Sequence, residues 1–421
     1  MSFMAYMAEY NRYMQILGIA VVFGVAFLFS NNKRRVNYGL IVKALVTQFI
    51  LAWFMLKTTI GSSIMQAIAN AVAQLYVASQ AGISFVFGAL GVNQPPWGAV
   101  FALQVLPFII FFGAFMALLF HIGIIQWCVR LVALVVRPVF GTSGAETLCG
   151  IANSFLGQTE APLLVRNYLE RMTRSEIFFI MVGGMGHISG SLLAIYHSQG
   201  VPIQHLLSAS IMALPATILV AKTMCPEVEQ PETAGSAIPN MEAKTTNMLD
   251  AISSGTGDGL KLALNVGAML VAFIALIATV NMLIGWVVGQ VNSGPWQVFS
   301  LPNFTLESLF GYLLSPVGWL LGLTGPDALA AGKLIGLKVV GNEFIAYLEM
   351  VKTAFSDDRA IVILTYALCG FSNFSSIGIQ IGGIGSLAPS KRQLLSEFGF
   401  RAVLGGVLVN LLTAMVAGLL I

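Results

Sequence analysis

The sequence predicts an all-α polytopic membrane protein with about eight transmembrane helices and two re-entrant helical hairpins in an inverted repeat. Three observations carry this. Only 9% of the 421 residues are Asp, Glu, Lys or Arg, against about 25% in soluble chains, so a water-facing surface cannot be covered. The 72 residues between Lys57 and Arg130 include none of the four. Two polar, glycine-interrupted segments, each followed by an apolar run broken by glycine, recur in the two halves of the chain. With 57% hydrophobic residues and a mean hydropathy of +0.85, the solvent is mostly lipid. The two or three soluble domains that this length ordinarily suggests are excluded.

Apolar stretches long enough to cross at about 20 residues each lie at Tyr13 to Ser30, Tyr38 to Leu56, Val100 to Ile124, Ile177 to His197, Leu206 to Lys222, Leu262 to Val291, Ala360 to Ile381 and Ala402 to Ile421. The first lacks a small-residue cleavage site and reads as a retained helix, not a signal peptide. No soluble domain is expected before or after the membrane part. Lys33, Arg34 and Arg35 follow the first span, while Glu9 and Arg12 before it cancel. The positive-inside bias then puts the N-terminus outside, and even parity puts the C-terminus outside too. Arg130, Arg137, Arg166, Arg171, Arg174, Lys391 and Arg392 all fall on the cytoplasmic side in this scheme. The acidic loop Cys225 to Asp250 disagrees, although acidic residues weigh little in the rule.

Other bulk features exclude function classes. A net charge of +3 with no basic run longer than Lys33 to Arg35 gives no sign of nucleic acid binding. The four cysteines, Cys128, Cys149, Cys225 and Cys369, are far apart and lack CxxC spacing. Neither a disulfide framework nor a zinc site is suggested, and they read as small apolar fillers.

Two apolar segments are ambiguous. Ile60 to Leu75 carries Gln66, Asn70 and Gln74 on one helical face. That stripe fits a helix lying at the interface or lining protein, and equally a packed helix with a polar seam. Leu309 to Leu323 is short and holds Pro316, so it is either a ninth crossing or a tilted surface piece.

Two further segments are too polar and too broken to cross. Gly144 to Val165 has a polar tip bracketed by Gly157 and Pro162, and Ala328 to Val351 has a similar tip starting at Gly341. Each reads as a hairpin running about ten residues in and ten out. The first is followed by VGGMGHISGS at Val182 to Ser191, the second by CGFSNFSSIGIQIGG at Cys369 to Gly383. A broken helix frees backbone groups that lipid cannot satisfy, so such breaks survive only where they are buried in protein or line a cavity. Glu160 precedes His187 by 27 positions and Glu343 precedes Asn373 by 30. Two copies of hairpin plus broken helix in opposite orientations are the pattern of an inverted-repeat secondary transporter with its site near the midplane.

The tips offer Gly157, Gln158, Thr159, Glu160, Asn342 and Glu343, and the second break offers Asn373, Ser375 and Ser376. A carboxylate in a membrane segment costs at least about 2.5 kcal/mol on insertion scales, so two in mirrored positions call for a function; satisfying the tip's own N–H groups is the structural reading. Carboxylates accept from vicinal hydroxyls, and Gln, Asn and Ser read both donors and acceptors of a heterocycle. No Arg or Lys stands between Gly144 and Val165 or between Val339 and Val351, which disfavours anionic and phosphorylated substrates. Lys333 and Lys338 are expected to neutralise a neighbouring carboxylate or to snorkel to the interface. The chemistry suits a neutral, hydroxyl-rich solute.

At these residues the sequence resembles the concentrative nucleoside transporters, as a bacterial member: GQTEAP at Gly157 to Pro162, GNEF at Gly341 to Phe344, CGFSNFSSIGI at Cys369 to Ile379, with Asn153 and LALNVGAML at Leu262 to Leu270 also similar. The resemblance covers nearly the whole chain and is weakest in the first 90 residues and the 225–250 loop. It implies import of nucleosides such as uridine by a homotrimeric symporter, with scaffold and elevator-type transport parts in each protomer. The corresponding division is 1–125 scaffold, 126–222 first hairpin and broken helix, 223–258 cytoplasmic polar loop, 259–325 scaffold helix and connector, and 326–421 second hairpin, broken helix and last helix. Carried over by motif, Gln158 and Thr159 face the nucleobase with Glu160 close by, Gly157 leaves room beside it, and Leu192 forms an apolar wall. Glu343, Asn373 and Ser376 hold the ribose hydroxyls, with Phe371 near them.

The resemblance also implies a sodium site at Asn153 and the carbonyls of Leu156, His187 and Ile188. His187 stands where a small hydroxyl residue is expected. Sodium prefers hard oxygen donors, like other hard cations, whereas an imidazole with an ordinary pKa near 6.5 carries protons. The coupling ion is therefore Na+ or H+, with no other cofactor. His121, His197 and His205 sit near span ends and read as interfacial. Two other classes compete: an intramembrane enzyme using Glu160 and Glu343 as an acid/base pair, and a channel, for which a pore ring without hairpin repeats is expected. Within transport, another neutral polyhydroxylated solute is the alternative cargo.

Overall fold

The computed structural model describes residues 6–7, 9–91, 100–234, 245–293 and 304–421. The helices are α1 Arg12–Leu28, α2 Tyr38–Lys57, α3 Thr59–Phe87, α4 Leu106–His121, α5 Ile124–Phe140, α6 Gly144–Ala152, α7 Arg174–Gly186, α8 Gly190–Ser198, α9 Ile203–Met224, α10 Met248–Ser293, α11 Leu306–Leu320, α12 Gly325–Val340, α13 Glu343–Lys352, α14 Asp358–Leu368, α15 Phe374–Leu387 and α16 Arg392–Leu420. Among the described residues, seven helices are long and apolar enough to cross a membrane. Six are expected spans. The other two expected spans are the broken pairs α7/α8 and α14/α15, whose halves are each too short to cross alone.

The seventh long helix, α3, settles one ambiguity. It runs on past Leu75 to Phe87, starts one residue after α2, and ends beside the start of α4, where Gln104 donates to the Leu90 carbonyl at 3.2 Å. α4 ends at His121 against Thr245, in the segment that follows the far end of α9, whereas α3 meets the start of α9 at Gln204; with α4 crossing, α3 begins and ends on the face where α9 starts and lies along it. Its polar seam stays exposed at Gln66, Asn70 and Gln74, with Gln66 donating to Asn70 at 2.9 Å and accepting from Gln204 at the start of α9. The Leu309 to Leu323 segment is settled too. It forms α11 and then turns by 113° into α12, so it packs across the second hairpin and is not a ninth crossing.

Hydrogen bonds to backbone carbonyls at helix ends sort the loops into two faces. On one, the Asn31 N–H donates to the Met224 carbonyl at 2.9 Å, Arg401 to the Phe29 and Met224 carbonyls at 2.7 and 3.1 Å, and Lys391 to the Met172 carbonyl at 2.8 Å. On the other, Arg12 donates to the Ile421 carbonyl at 2.8 Å and Arg359 to that of Tyr10 at 3.3 Å. Both chain ends thus share a face, as even parity requires. The acidic loop that ran against the charge rule is locally neutralised, with Glu232 paired to Arg171 at 2.9 Å and Glu227 to Lys222 at 3.6 Å; residues 235–244 of that loop lie outside the described residues.

Burial separates helices sheathed in protein from those facing outwards. The most apolar windows of α9 and α16 are 78% and 83% buried, against 6% for α10. Expected as Leu262 to Val291, α10 in fact spans 46 residues, about 69 Å at 1.5 Å per residue, more than twice the roughly 30 Å hydrocarbon core. It packs on α4 through small residues: a Cβ on Gly255 would stand 2.5 Å from that of Ala117, the close approach that small residues permit between membrane helices. The four cysteines are free, three of them buried.

The hairpins differ in build. The first enters as α6, starts on a capping box between Ser143 and Glu146, and returns as short turns, Ala161–Val165 and Arg166–Leu169. The return begins at Ala161 and has Pro162 in its first turn, where a missing N–H is harmless. The second is longer than expected on entry, with 16 residues in α12 and 10 in α13.

Candidate functional site

Polar side chains at both tips and the second break join with Tyr196 of α8 and Gln380 of α15 into one buried hydrogen-bonded chain. Asn342 caps α13 by accepting from the Ile345 N–H at 2.9 Å, which makes Glu343 the first helical residue and sets its carboxylate at the positive end of the helix dipole. Asn373 caps α15, its Oδ1 accepting from the Ser376 N–H at 3.0 Å and the Ser375 hydroxyl at 2.6 Å. Its Nδ2 is left to donate to Glu343 Oε2 at 3.2 Å. Tyr196, from α8, donates to Glu343 Oε1 at 2.9 Å. On the other side, Gln158 Nε2 donates to Ser376 Oγ at 3.2 Å, and Gln380 Nε2 donates to Gln158 Oε1 and to the Met181 carbonyl, both at 3.1 Å. One end of the chain is a carboxylate with hydroxyl and amide neighbours, suited to vicinal hydroxyls; the other is a pair of amides, suited to a heterocycle edge.

Of the tip and break residues singled out from sequence, Gln158, Glu343, Asn373 and Ser376 meet in this chain. Glu160 does not join it. Its Oε2 accepts from the Gly157 N–H at 3.0 Å, the structural use weighed against a binding role. Gly157 is not tightly confined, since a Cβ there would find the Glu160 carboxyl at 3.6 Å and Ser189 at 3.7 Å. Thr159 packs on α15, where a Cβ on Gly383 would come within 2.6 Å of its methyl. Leu192 is buried on α8, and Phe371, half-buried, ties the breaks together by donating its N–H to the His187 carbonyl at 3.2 Å.

The first break contains a different kind of site. Asn153 Nδ2 and Oδ1, His187 Nε2 and Thr217 Oγ1 are all buried without a hydrogen-bond partner. Such atoms in a native protein call for a bound water, ion or other guest. His187 Nδ1 lies 2.8 Å from the Gly183 carbonyl. A carbonyl can only accept, so Nδ1 carries a proton, and in the neutral ring Nε2 presents a lone pair. Gly183 is required here, because a Cβ would meet Asn153 Nδ2 at 2.9 Å. As a test of fit for a hard cation, Asn153 and Thr217 both stand against the end of α7, the Asn153 amide 2.9 Å from a Cβ on Gly183 and Thr217 Oγ1 3.5 Å from one on Gly186, so Asn153 Oδ1 and Thr217 Oγ1 are buried oxygens left open there. The His187 carbonyl keeps one lone pair beyond the Phe371 bond. An oxygen set of this kind fits Na+, even with imidazole at position 187.

Sequence reasoning missed Tyr196, Gln380, Thr217 and Asn410. Gln380 and Asn410 carried a signal, each being a lone amide in an apolar run that has to find a partner. Tyr196 and Thr217 carried none, since both look like ordinary span residues. The lysines divide. Lys333 pairs with Glu349 at 2.6 Å, as expected. Lys338 does not snorkel; it is buried, donates to the Ala367 carbonyl at 3.0 Å and to Asn410 Oδ1 at 2.5 Å, and faces the Glu343 carboxylate from beyond ion-pair distance. His121, His197 and His205 lie at helix ends against Thr245, the Val201 carbonyl and Tyr366, outside the chain.

Comparison with known proteins follows this geometry. Residues 17–90 and 205–418 match the family models described as Na+ dependent nucleoside transporter N-terminus and C-terminus, and residues 102–202 match one described as nucleoside recognition. The nucleoside permease NupC of Helicobacter pylori is 37% identical over 422 residues, covering 98% of each chain. An uncharacterised transporter of Haemophilus influenzae is 42% identical over 413 residues, covering 96% of this chain and 97% of its own. Sodium/nucleoside cotransporter 1 of Rattus norvegicus is 36% identical over 420 residues, which is 96% of this chain and 63% of the rat protein. Among solved structures, CNTnw in an inward-facing, substrate-bound state superposes with a TM-score of 0.89 at 38% identity, covering 97% of both chains. A CNTnw variant in an intermediate state gives 0.90 at 38% identity, covering 97% and 98%.

Proposed function

The chain belongs to the Na+ dependent nucleoside transporter family, and from that premise we propose that it imports nucleosides such as uridine across the cytoplasmic membrane as a secondary active symporter. The observation that carries the reading is the buried chain from Tyr196 through Glu343, Asn373, Ser376 and Gln158 to Gln380. It links both hairpin tips to the second break and to α8 with neutral polar groups and a carboxylate, and with no cation aimed at a substrate phosphate. Glu343, Asn373 and Ser376 hold the ribose hydroxyls. Gln158 and Thr159 face the base with Glu160 and Gly157 beside them, and Leu192 and Phe371 are the apolar walls. Another neutral polyhydroxylated solute is the alternative cargo; catalysis by paired carboxylates is disfavoured by the family and by Glu160 being committed to its own tip.

Na+ is the coupling ion we favour. Asn153 and the carbonyls of Leu156, His187 and Ile188 would hold it, and Thr217 on α9 offers the hydroxyl that position 187 lacks. The ion would supply positive charge that joins the first hairpin to the first break. The rival is a proton on His187 Nε2. Uptake of radiolabelled uridine into proteoliposomes, with a Na+ gradient or a proton gradient imposed separately, decides between them. We expect uptake against the concentration gradient with Na+ alone, and a His187→Ser variant with the same pH dependence as the parent. Uptake driven only by the proton gradient, and made insensitive to pH by His187→Ser, would reverse the assignment. A purified protein that consumes uridine, or only equilibrates it, would remove the symporter reading altogether.

We place both termini outside, put residues 1–125 and 259–325 in the scaffold and 126–222 and 326–421 in the moving part, joined by the 223–258 loop, and take the oligomer to be a homotrimer. An elevator-like movement of the second pair of segments against the first has a local consequence. The Gln66–Gln204 bond joins α3 to α9, one on each side of that division, and has to open in each cycle. A Gln66→Cys/Gln204→Cys double variant is therefore expected to lose uptake on oxidation and recover it on reduction. Full uptake in the disulfide-linked protein would rule out relative motion at this contact.

A further inference from the structure

The two breaks are held by different chemistry, although the repeat relates them. Each ends a half-helix, α7 at Gly186 and α14 at Leu368, and each end exposes unsatisfied carbonyls and about half a unit of negative charge. A hairpin side chain approaches each: the Asn153 amide beside Gly183 at the first, the Lys338 ammonium on the Ala367 carbonyl at the second. At the first break, Asn153, His187 and Thr217 all keep buried polar atoms without a partner. At the second, none of Lys338, Ser372 and Asn410 does.

Asn410, in the middle of α16, makes this closure complete. Its Nδ2 donates to the Gly186 carbonyl at 2.8 Å and the Cys369 carbonyl at 2.7 Å, one from each break. Its Oδ1 accepts from Lys338 at 2.5 Å and from the Ser372 hydroxyl at 3.1 Å. No ion pair among the described residues includes Lys338; the negative charges that face its ammonium are those of the half-helix ends and, beyond ion-pair distance, the Glu343 carboxylate. A buried ammonium is tolerated only when it is hydrogen-bonded and electrostatically matched, and two helix C-termini joined through one amide supply both.

We propose that Lys338 is a tethered cation, filling at the second break the electrostatic place that an exchangeable coupling ion takes at the first, so that the transporter has a single exchangeable cation site. Its consequence for stoichiometry rests on the symport reading above; the tethered cation itself does not. The first cation can leave and return in each cycle, whereas the second is covalently retained and keeps the breaks together throughout.

Two measurements test this. In proteoliposomes, the dependence of wild-type uridine uptake on the coupling cation is expected to show a Hill coefficient of about 1; a value of about 2, as two cooperating exchangeable sites would give, overturns the proposal. In detergent, without nucleoside, the thermal midpoint of Lys338→Ala is expected to rise by several degrees in ammonium or methylammonium chloride relative to choline chloride at equal ionic strength. Wild type and Lys338→Met, whose side chains fill the space, are expected to show no such difference. Uptake by Lys338→Ala should be about tenfold or more below wild type, a loss of at least about 1.4 kcal/mol, and partly restored by ammonium. An equal ammonium response in all three proteins, or Lys338→Met matching wild type in both midpoint and uptake, overturns it. If wild type moves no uridine, the transport reading fails while the thermal comparison still decides the tethered cation.

Discussion

Glu343→Gln is expected to raise the dissociation constant for uridine by roughly 10- to 150-fold, the range that corresponds to losing a hydrogen bond to a charged group at about 1.5–3 kcal/mol. The carboxylate accepts from Tyr196 on one oxygen and from Asn373 on the other. An amide in its place presents N–H to one of those two donors, so the substitution loses an acceptor and sets donor against donor. The sugar hydroxyls would lose the one charged acceptor of the chain. Glu160→Gln should do far less, because Glu160 is outside the chain and serves the Gly157 N–H. Isothermal titration of uridine into each purified oligomer compares them. Equal and small effects of both substitutions would show that the substrate does not use the buried chain.

Asn410→Leu is expected to be the most damaging change of similar volume in the transmembrane core. It removes two donors from the Gly186 and Cys369 carbonyls and an acceptor from Lys338 and Ser372. Losing a buried hydrogen bond to a charged group costs about 1.5–3 kcal/mol, and the two carbonyls left without donors add to that. The thermal midpoint of the purified protein should fall by several degrees and uptake should fall to background. The same substitution at Thr413, one helical turn away, removes an intrahelical bond to the Val409 carbonyl and the acceptor of Gln48, and should be milder. An Asn410→Leu protein with unchanged midpoint and uptake would mean that the cross-tie between the breaks carries no weight.

Much of the architecture was legible because it is written locally. Charge scarcity and run length marked the spans; Gly183, Gly184 and Gly186 in one half, and Gly370 with Ser372 in the other, marked the breaks. The tip residues were legible as types: Gln158, Glu343, Asn373 and Ser376 were singled out from sequence, and the structure brings all four together. Lys338 was legible only in part. Its neighbours in sequence suggested a lysine that snorkels or neutralises a neighbouring carboxylate, and it does face the Glu343 carboxylate, but its hydrogen-bond partners are Ala367 and Asn410, 29 and 72 residues away. Glu160 and Glu343 looked equivalent by symmetry, yet one caps its own tip and the other anchors the chain. Nothing in the tip sequences distinguishes those outcomes; what does is Tyr196, 147 residues from Glu343.

The sequence by itself determined the solvent, the spans, the inverted repeat and the chemical character of the site, because hydropathy, glycine breaks and the rarity of intramembrane carboxylates are properties of short segments. Only the tertiary structure decided that α3 lies along one face, that Glu343 and not Glu160 belongs to the buried chain, and that Lys338 and Asn410 close the second break while the first retains unpartnered polar atoms. The physical reason is that a lone polar group in an apolar helix must find a partner, and that obligation is legible in sequence. Which partner it finds depends on helices that meet only after folding.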